Sequence, residues 1–399
     1  MDLPVSVIDA ITRHAKGRNG RSFYVYDTSV MRGKIALLRS ALPANVAVYF
    51  AMKPNPHPAF LKAARDSALD GIEIASMGEG KKALAAGFKG SELIFTSPGK
   101  TEDELGWSVE NGLHMVHLDS LTEAHRLNRI CGELGRKQDV LVRVNPNFHM
   151  AGSKVTFSGD SCKLGIDESL LPAILPQILA MPHLCFRGLH VYAASGILKA
   201  ETLIENCARV FAMAQKIESS YSGVRCSTID FGGGFGIDYA QTGETFSLET
   251  YARELSKLTE SYGYGDRQFV IELGRYLCAE AGWYCTEILD IKTSLGKKQI
   301  ICAGGSHHFR RPAAVENHPL TVLPMRRLKA FDGQECVHDE SAFIGGPLCN
   351  TADRLAHGDI YIAHAEIGDI AVFSYAGAYG YSMSHLEFLS HPHPEEILM

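Results

Sequence analysis

Short apolar runs alternate with longer amphipathic segments through the first two thirds of the chain, and this alternation constrains the fold more than any other feature. The runs read SFYVYD, VAVYFAMK, GIEIAS, ELIFTS, MVHLD, DVLVRVNP, FRGLHVYA, STIDFGGG and QFVIELG. Between them lie segments such as SLTEAHRLNRICGEL, whose apolar residues recur with the helical period of 3.6. Repeated strand-then-helix units predict an α/β fold, a parallel (β/α)8 TIM-type barrel, and an open doubly wound sheet is the alternative.

A second domain is expected after the barrel, because the pattern changes near WYCTEILDIK to strand-like runs separated by turn signals. Examples are KKQIICAGG and DIYIAHAEIGDIAVFSYAG. A chain of 399 residues also exceeds the roughly 250 residues of a typical barrel. We therefore predict a barrel over residues 22–277 and a β-rich domain formed by residues 1–21 and 278–399.

Composition excludes several classes of protein. The formal charge of −6 comes without a basic stripe or tail, which argues against nucleic acid as a partner. The start lacks a basic segment followed by an apolar core, and no uncharged apolar run is long enough for a bilayer, so we expect a cytoplasmic protein without membrane partners. The ten cysteines include no C-x-x-C pair, and we expect neither a metal site nor a disulfide framework.

Lys53 directly follows the apolar run VAVYFAM, at the end of an expected barrel strand. Barrel enzymes carry their chemistry on the loops that follow the strands. A desolvated lysine amine there would have a lowered pKa and could attack an aldehyde. A lysine that extends from the barrel rim into water explains the position equally well, so Lys53 alone decides nothing.

The run DFGGGFGI follows another expected strand and indicates a phosphate-binding loop. Residues without Cβ atoms let backbone N–H groups approach an anion closely. The spacing from Gly232 lacks the third glycine of the dinucleotide fingerprint, because Ile237 stands there, and no Gly-Lys-Ser/Thr follows as in a Walker loop. A plain glycine-rich turn is the alternative.

Two further motifs place reactive side chains at expected loops. In VIELGRY, Glu272 could pair with a protonated heterocyclic nitrogen, and Arg275 could hold a phosphate or carboxylate. The pair could equally be a salt bridge at the barrel rim. In GGPLCNTADRL, Cys349 could donate a proton, although a structural thiol is the simpler interpretation of that residue alone.

Taken together and in this order, the motifs YFAMKPN, GLHVYAASG, DFGGGFGI, ELGR, GPLCNTAD and GAYGYSMS resemble the fold-type III pyridoxal-phosphate decarboxylases, the ornithine and diaminopimelate decarboxylase family. The resemblance extends over nearly the whole chain. It implies an alanine racemase-like barrel with a β-rich C-terminal domain, of β-sandwich or barrel-like form. It also implies pyridoxal 5′-phosphate as cofactor and a homodimer with active sites at the subunit interface.

The same resemblance implies roles for individual residues. Lys53 would bind the cofactor covalently, His190 would stack on its ring, Glu272 would face the ring nitrogen and Cys349 would act as a general acid. The cofactor phosphate would be held by the glycine loop together with the ELGR segment and a later tyrosine: Gly233, Gly234, Phe235, Gly236, Gly274, Arg275 and Tyr379. The family has a serine shortly after the stacking histidine, where this chain has Tyr192 and Ala193, and Ser195 is the substitute.

The substrate is inferred from the residue after Cys349. The ornithine and diaminopimelate enzymes have an acidic residue there for a distal ammonium, whereas this chain has Asn350, and losing such a partner costs about 1.5–3 kcal/mol. The run GGSHHFRRPAA offers cations that suit carboxylates, or else forms a solvated basic turn. Residues expected to contact the substrate are His307, Arg310, Arg311, Asn350, Asp353 and Tyr375. Which of the two arginines reads the substrate stays open.

In these features the chain is similar to the branch of the family that acts in carboxylate siderophore biosynthesis. Two further segments share this similarity, YAGAYGYSMSHLEFLSHPHPEE and FRRP…ENHP. The resemblance implies decarboxylation of a citryl conjugate such as citryl-diaminopropionate. Diaminopimelate decarboxylation and an amino acid tethered to a carrier protein are the alternatives among enzymes. A non-catalytic homologue would lack Lys53 or Cys349, and this chain has both.

Overall fold

The computed structural model describes residues 3–17, 21–67, 69–148, 155–156, 161–325 and 334–399. The strands are β1 (Ser22–Tyr26), β2 (Val46–Ala51), β3 (Gly71–Ile74), β4 (Leu93–Phe95), β5 (Met115–Leu118), β6 (Gln138–Asn145), β7 (Val155–Thr156), β8 (Ile166–Asp167), β9 (Leu184–His190), β10 (Ala194–Ser195), β11 (Thr228–Asp230), β12 (Gln268–Leu273), β13 (Gly282–Ser294), β14 (Lys297–Cys302), β15 (Leu320–Leu323), β16 (Val337–Gly345), β17 (Ile360–Ala365), β18 (Ile370–Phe373) and β19 (Glu395–Leu398).

The α-helices are α1 (Val5–Gly17), α2 (Thr28–Ala41), α3 (Pro58–Asp66), α4 (Met77–Ala85), α5 (Glu102–Glu110), α6 (Leu121–Glu133), α7 (Leu171–Leu179), α8 (Ala200–Ser220), α9 (Leu248–Tyr262), α10 (Arg275–Cys278) and α11 (Arg311–Ala314). Several begin at a side-chain cap: the Ser120 hydroxyl accepts from the backbone of α6, and Thr101 forms a reciprocal capping box with Glu104 at α5. Within the described ranges, no helix is long and apolar enough to cross a membrane.

Eight strands form a closed parallel barrel. Their order around the ring is β2, β3, β4, β5, β6, β9, β11 and β12, and β12 pairs with β2 to close it. The barrel predicted from the sequence is therefore confirmed, and the open doubly wound sheet is wrong. The interior includes a cluster of buried apolar residues, Ala47, Tyr49, Ile94, Met115, Leu141 and Val270.

The chain divides into two compact units. The barrel unit contains Arg32–Ile237 and Glu244–Tyr276, and the sheet unit contains Met1–Met31, Asp238–Gly243 and Leu277–Met399. The strand β1 belongs to the sheet unit because it pairs antiparallel with β13 and parallel with β19. This placement differs from the expected boundary at residue 22, since an apolar run of five residues does not reveal which sheet it joins.

The sheet unit is built on one mixed eight-stranded sheet, which confirms the β-rich C-terminal domain. The long strand β13 pairs with β1 and β18 along its first half and with β14 along its second half. A β-bulge between Ile288 and Asp290 separates the two halves. Helix α1 buries its apolar face, including Val7 and Ile11, with Phe23 and Trp283 of the sheet.

Candidate active site

Lys53 lies just beyond the end of β2, and its ammonium is paired with Glu73 of β3. The Nζ atom is 3.1 Å from Glu73 Oε2. The lysine side chain is 40% exposed, whereas the glutamate side chain is only 1% exposed, so the lysine balances a buried charge while its amine stays reachable. The sequence reasoning missed Glu73. The available signal was a glutamate inside the apolar run GIEI, where a charge needs a partner.

His190 ends β9, and Glu272 lies near the end of β12. The imidazole Nε2 is 3.7 Å from Glu272 Oε2. Neither ring nitrogen of His190 has a hydrogen-bond partner among the described residues. Burial lowers the pKa of His190 well below its usual range, and burial together with the nearby Asp230 raises the pKa of Glu272 well above its usual range. The site thus holds a neutral imidazole beside a carboxyl group that favours its protonated form.

Behind this pair lie three buried polar residues that the sequence reasoning did not assign to the site. The ring of His117 on β5 is 4.5 Å from the ring of His190, centroid to centroid. Its Nδ1 is hydrogen-bonded to Thr96 Oγ1 at 2.8 Å, and its Nε2 is 3.6 Å from Asp230 Oδ2. The signal in the sequence was a polar residue in or directly after three apolar strand runs: the histidine of MVHLD, the threonine of ELIFTS and the aspartate of STIDF.

His117, His190, Asp230 and Glu272 each offer one metal-ligating atom, and these atoms all lie within 4.8 Å of one another. This donor set suits a transition metal as well as a proton network. The expectation that the protein binds no metal therefore stays a prediction.

The glycine-rich loop after β11 has the form of an anion cradle. Gly234 has φ of 111°, and a Cβ added at Gly233 would lie 2.2 Å from the backbone oxygen of Glu272. The loop is held by two hydrogen bonds to Ile197, donated by Ile197 N to Gly234 O and by Gly236 N to Ile197 O. Within the described residues, no hydrogen bond is formed by the N–H groups of Gly233, Gly234 and Phe235. Successive free N–H groups of this kind bind phosphate.

Arg275 begins the short helix α10 and brings a cation to the same unit as the glycine loop. Its Nη2 donates to the hydroxyl of Ser195 at 3.5 Å. A Cβ at the preceding Gly274 would lie 2.5 Å from Pro54 Cγ, so the turn packs closely against the segment after Lys53.

Cys349 and Asn350 are both exposed on the sheet unit, whereas Asp353 is 3% exposed. The Asp353 carboxylate accepts hydrogen bonds from Ser306 N at 2.6 Å and from Leu348 N at 2.8 Å. Its oxygens are therefore engaged in holding two loops of the sheet unit together. This arrangement gives Asp353 a loop-shaping role, and its expected contact with the substrate stays a prediction.

The two neighbouring arginines lie in very different surroundings. Arg311 is 3% exposed, forms an ion pair with Glu316 and lies over the ring of Tyr239 at 4.8 Å. Arg310 is exposed, and its backbone N donates to Ser384 Oγ at 3.0 Å. The first arginine is part of the interior, and the second presents its guanidinium to solvent.

His307 is fully buried, and burial lowers its pKa to about 4. The ring of His308 is 3.9 Å from it, and burial lowers the pKa of His308 to about 3. Both rings are neutral at pH 7. Of the histidines and arginines of this loop, only Arg310 is both charged and exposed.

Tyr375 and Tyr379 both have positive φ angles, 61° and 56°. This left-handed conformation is unfavourable for aromatic residues and costs about 1–3 kcal/mol at each position. Their loop, YAGAY, is therefore held in a defined shape by the surrounding sheet unit. Strained loops of this kind occur at binding sites.

Comparisons with known proteins agree on one family. A family model described as "Pyridoxal-dependent decarboxylase, pyridoxal binding domain" matches residues 29–279. The "2-[(L-alanin-3-ylcarbamoyl)methyl]-2-hydroxybutanedioate decarboxylase" of Staphylococcus aureus is 33% identical over 94% of this chain and 93% of its own length. The "L-glutamyl-[BtrI acyl-carrier protein] decarboxylase" of Niallia circulans is 31% identical over 100% of this chain and 92% of its own. The diaminopimelate decarboxylase of Helicobacter pylori, solved with L-lysine, superimposes with a TM-score of 0.86 at 24% identity, covering 97% of this chain and 93% of that one.

Proposed function

The chain belongs to the pyridoxal-dependent decarboxylase family, and on that premise we propose that it decarboxylates an amino acid whose distal end is joined to citrate. The protein is a pyridoxal 5′-phosphate-dependent carboxy-lyase that acts on a small molecule. One observation carries the substrate proposal. The relative from S. aureus, similar over nearly the full length of both chains, is named for the amide of citrate with L-2,3-diaminopropionate.

The residues of the barrel unit fit the cofactor. Three successive N–H groups, Gly233 to Phe235, form no hydrogen bond with any described residue and could receive a phosphate. Arg275 supplies a cation. The imidazole of His190, which has no hydrogen-bond partner in the described part of the chain, and the buried carboxyl of Glu272 suit the face and the nitrogen of a heteroaromatic ring. Lys53 has a reachable amine for the aldehyde.

Each residue then has a task. When bound, pyridoxal phosphate supplies a positively charged ring that accepts the electron pair left by CO2. Glu272 as a carboxylate would keep the ring nitrogen protonated, and the imidazole of His190 would help to hold the ring. Glu73 would position the Lys53 amine that holds the cofactor. Lys53 and Cys349 would be the candidates for moving protons at the substrate carbon.

For the far end of the substrate we propose Arg310, with Asn350 as a neutral neighbour in place of an acidic residue. Arg310 is exposed and suits a citrate carboxylate, whereas Arg311 is paired with Glu316 inside the sheet unit. Tyr375 is kept as a substrate contact and Tyr379 as a phosphate contact, since both lie in the strained YAGAY loop. His307 lies in the same loop as Arg310, and its imidazole is neutral because burial lowers its pKa to about 4.

We also propose a cytoplasmic homodimer. Cys349 lies on the surface of the sheet unit, which suits a residue that completes the partner subunit's site. All ten cysteines are free thiols, as a reducing compartment favours. Mixing inactive Lys53→Ala with inactive Cys349→Ala protein should restore activity if subunits exchange and share sites, and no recovery would contradict shared sites.

A second candidate substrate is a glutamyl group on a carrier protein, which is favoured by the 31% identity to the enzyme from N. circulans. The deciding experiment measures CO2 release by the cofactor-loaded protein on citryl-diaminopropionate, meso-diaminopimelate, ornithine and a glutamyl-carrier protein. Lys53→Arg protein is the matched control. Release from the citryl compound alone is expected, and release from another substrate alone would overturn the substrate proposal while leaving the decarboxylase assignment intact.

A further inference from the structure

Tyr276 joins the two parts of the proposed phosphate site. It directly follows Arg275 in the short helix α10, and its ring packs edge-on against the ring of Phe235 in the glycine loop, with the centroids 5.5 Å apart. We propose that Tyr276 is a positioning residue, which fixes the glycine loop relative to Arg275 so that both are set for one phosphate group. The inference rests on the phosphate site of the proposed function and adds residues that act through that site.

The side chain of Phe235 anchors the glycine loop in the barrel unit. This residue is 3% exposed, and its ring stacks on the ring of Phe246 with centroids 4.1 Å apart and an angle of 26° between the planes. Tyr251 of α9 packs edge-on against the same ring at 4.9 Å. Stacked and edge-on contacts of this kind favour one arrangement of the rings. Because the backbone N–H of Phe235 is one of the three that could receive a phosphate, the packing of its ring helps to orient them.

The three rings around Phe235 connect it to two different segments of the chain. Phe246 and Tyr251 are close in sequence, and their own rings lie 5.9 Å apart. Tyr276 comes from the segment that carries Arg275, and its ring contacts those of both Phe235 and Phe246, the latter at 6.2 Å. A movement of Phe235 away from Tyr276 would therefore also change the position of the loop relative to Arg275.

Lys34 of α2 holds both the ring and the backbone of Tyr276. Its Nζ lies 4.5 Å from the centroid of the tyrosine ring and donates to the Tyr276 backbone oxygen at 2.7 Å. A cation is attracted to the face of an aromatic ring, and a charged donor forms a strong hydrogen bond to a carbonyl oxygen. Lys34 thus restrains the residue next to Arg275 in two ways, and we include it in the positioning role.

A purely structural role for these rings is the alternative, since packed aromatic rings stabilise a barrel wherever they lie. The two roles differ in their effect on a ligand without a phosphate group. Loss of a ring that only stabilises the fold weakens the binding of all ligands of the site alike. Loss of a ring that positions the phosphate site weakens only the ligands that carry a phosphate.

The test measures cofactor affinity without turnover. Cofactor-free protein is titrated with pyridoxal phosphate and with pyridoxal, which has the same ring and aldehyde but no phosphate, and binding is followed by absorbance. Tyr276→Leu removes the ring, Tyr276→Phe keeps it, and Lys34→Met removes the cation. Phe88→Leu is the control, because it removes another buried ring of the barrel unit that lies near a cation, Arg65, at 5.9 Å.

The unaltered protein should bind pyridoxal phosphate at least about a hundredfold more tightly than pyridoxal, the size of two charge-assisted hydrogen bonds. Tyr276→Leu and Lys34→Met should each lose about tenfold of that preference, the size of one such bond. Tyr276→Phe and the control should keep the preference, even where their affinity for both ligands is lowered.

A preference kept by Tyr276→Leu would overturn the positioning role, and so would an equal loss of affinity for both ligands in that variant. A preference kept by Lys34→Met would overturn the part assigned to the lysine. If the unaltered protein shows no preference, the phosphate site of the proposed function is wrong, and the role of Tyr276 falls with it. If Tyr276→Leu does not fold, Lys34→Met takes its place under the same criteria.

Discussion

The neighbouring arginines Arg310 and Arg311 should respond to substitution in opposite ways. Glutamine at either position removes one positive charge and keeps a polar side chain of similar reach. Arg311→Gln breaks the ion pair with Glu316, whose side chain is 13% exposed, in a mostly buried setting. The same substitution at Arg310 leaves no ion pair broken among the described residues.

The size of each effect follows from burial. Removing one partner of a buried ion pair costs about 3–5 kcal/mol, and the lost packing of Arg311 over Tyr239 adds to this. Arg311→Gln should therefore lower the unfolding free energy by several kcal/mol. Arg310→Gln should leave the unfolding free energy nearly unchanged and raise KM for the citryl conjugate by about tenfold or more, because a charge-assisted hydrogen bond to a carboxylate is lost.

The assay combines urea unfolding of both variants with steady-state CO2 release. A normal KM for the citryl conjugate in folded Arg310→Gln protein would refute the assignment of Arg310. Unchanged stability in Arg311→Gln would refute the reasoning from burial.

Three further predictions concern single positions. Asn350→Asp should lower kcat/KM for the citryl conjugate by about tenfold, since a carboxylate would face the citrate charges; unchanged CO2-release kinetics would remove the argument from that position. Gly234→Ala should weaken cofactor binding, because φ is 111° there and the new Cβ would lie 2.9 Å from Ala194 O. Equilibrium dialysis measures the cofactor affinity. Gly33→Ala is the control, because Gly33 has open space around it. In cofactor-free protein, burial raises the pKa of Asp230 from 3.8 to about 7, so the folded state favours the protonated acid. Its contribution to stability should be present below pH 4 and be lost as pH rises to 7. Asp230→Asn should flatten that slope in denaturant titrations, and an unaltered slope would show that Asp230 does not titrate as described.

The barrel was predictable from the sequence because parallel strands buried on both faces read as continuous apolar runs. The eight-stranded closure follows from the repeated units, and only the partner of SFYVYD could not be assigned, since strand pairing depends on residues far away in sequence. The spacing of motifs also indicated the cofactor family, which the comparisons bear out.

The buried polar residues were harder to predict. Lys53 and Glu272 were recognised at strand ends, but their neighbours Glu73, Thr96 and His117 come from other strands, and only the closed ring brings them together. The two arginines show the same limit. Adjacent residues of one type have nearly identical sequence context, and only burial separates an arginine of the interior from one that faces solvent.

Asp353 couples the positions of two loops of the sheet unit. Its carboxylate joins the segment at Ser306 to the segment at Leu348, and a Cβ at Gly305 would lie 2.2 Å from its Oδ1. Altering the length of either loop would therefore displace the other. To engineer a new substrate preference into this protein, the loop containing His307 and the loop containing Cys349 should be replaced together. The replacement should include Asp353 and the facing Gly305.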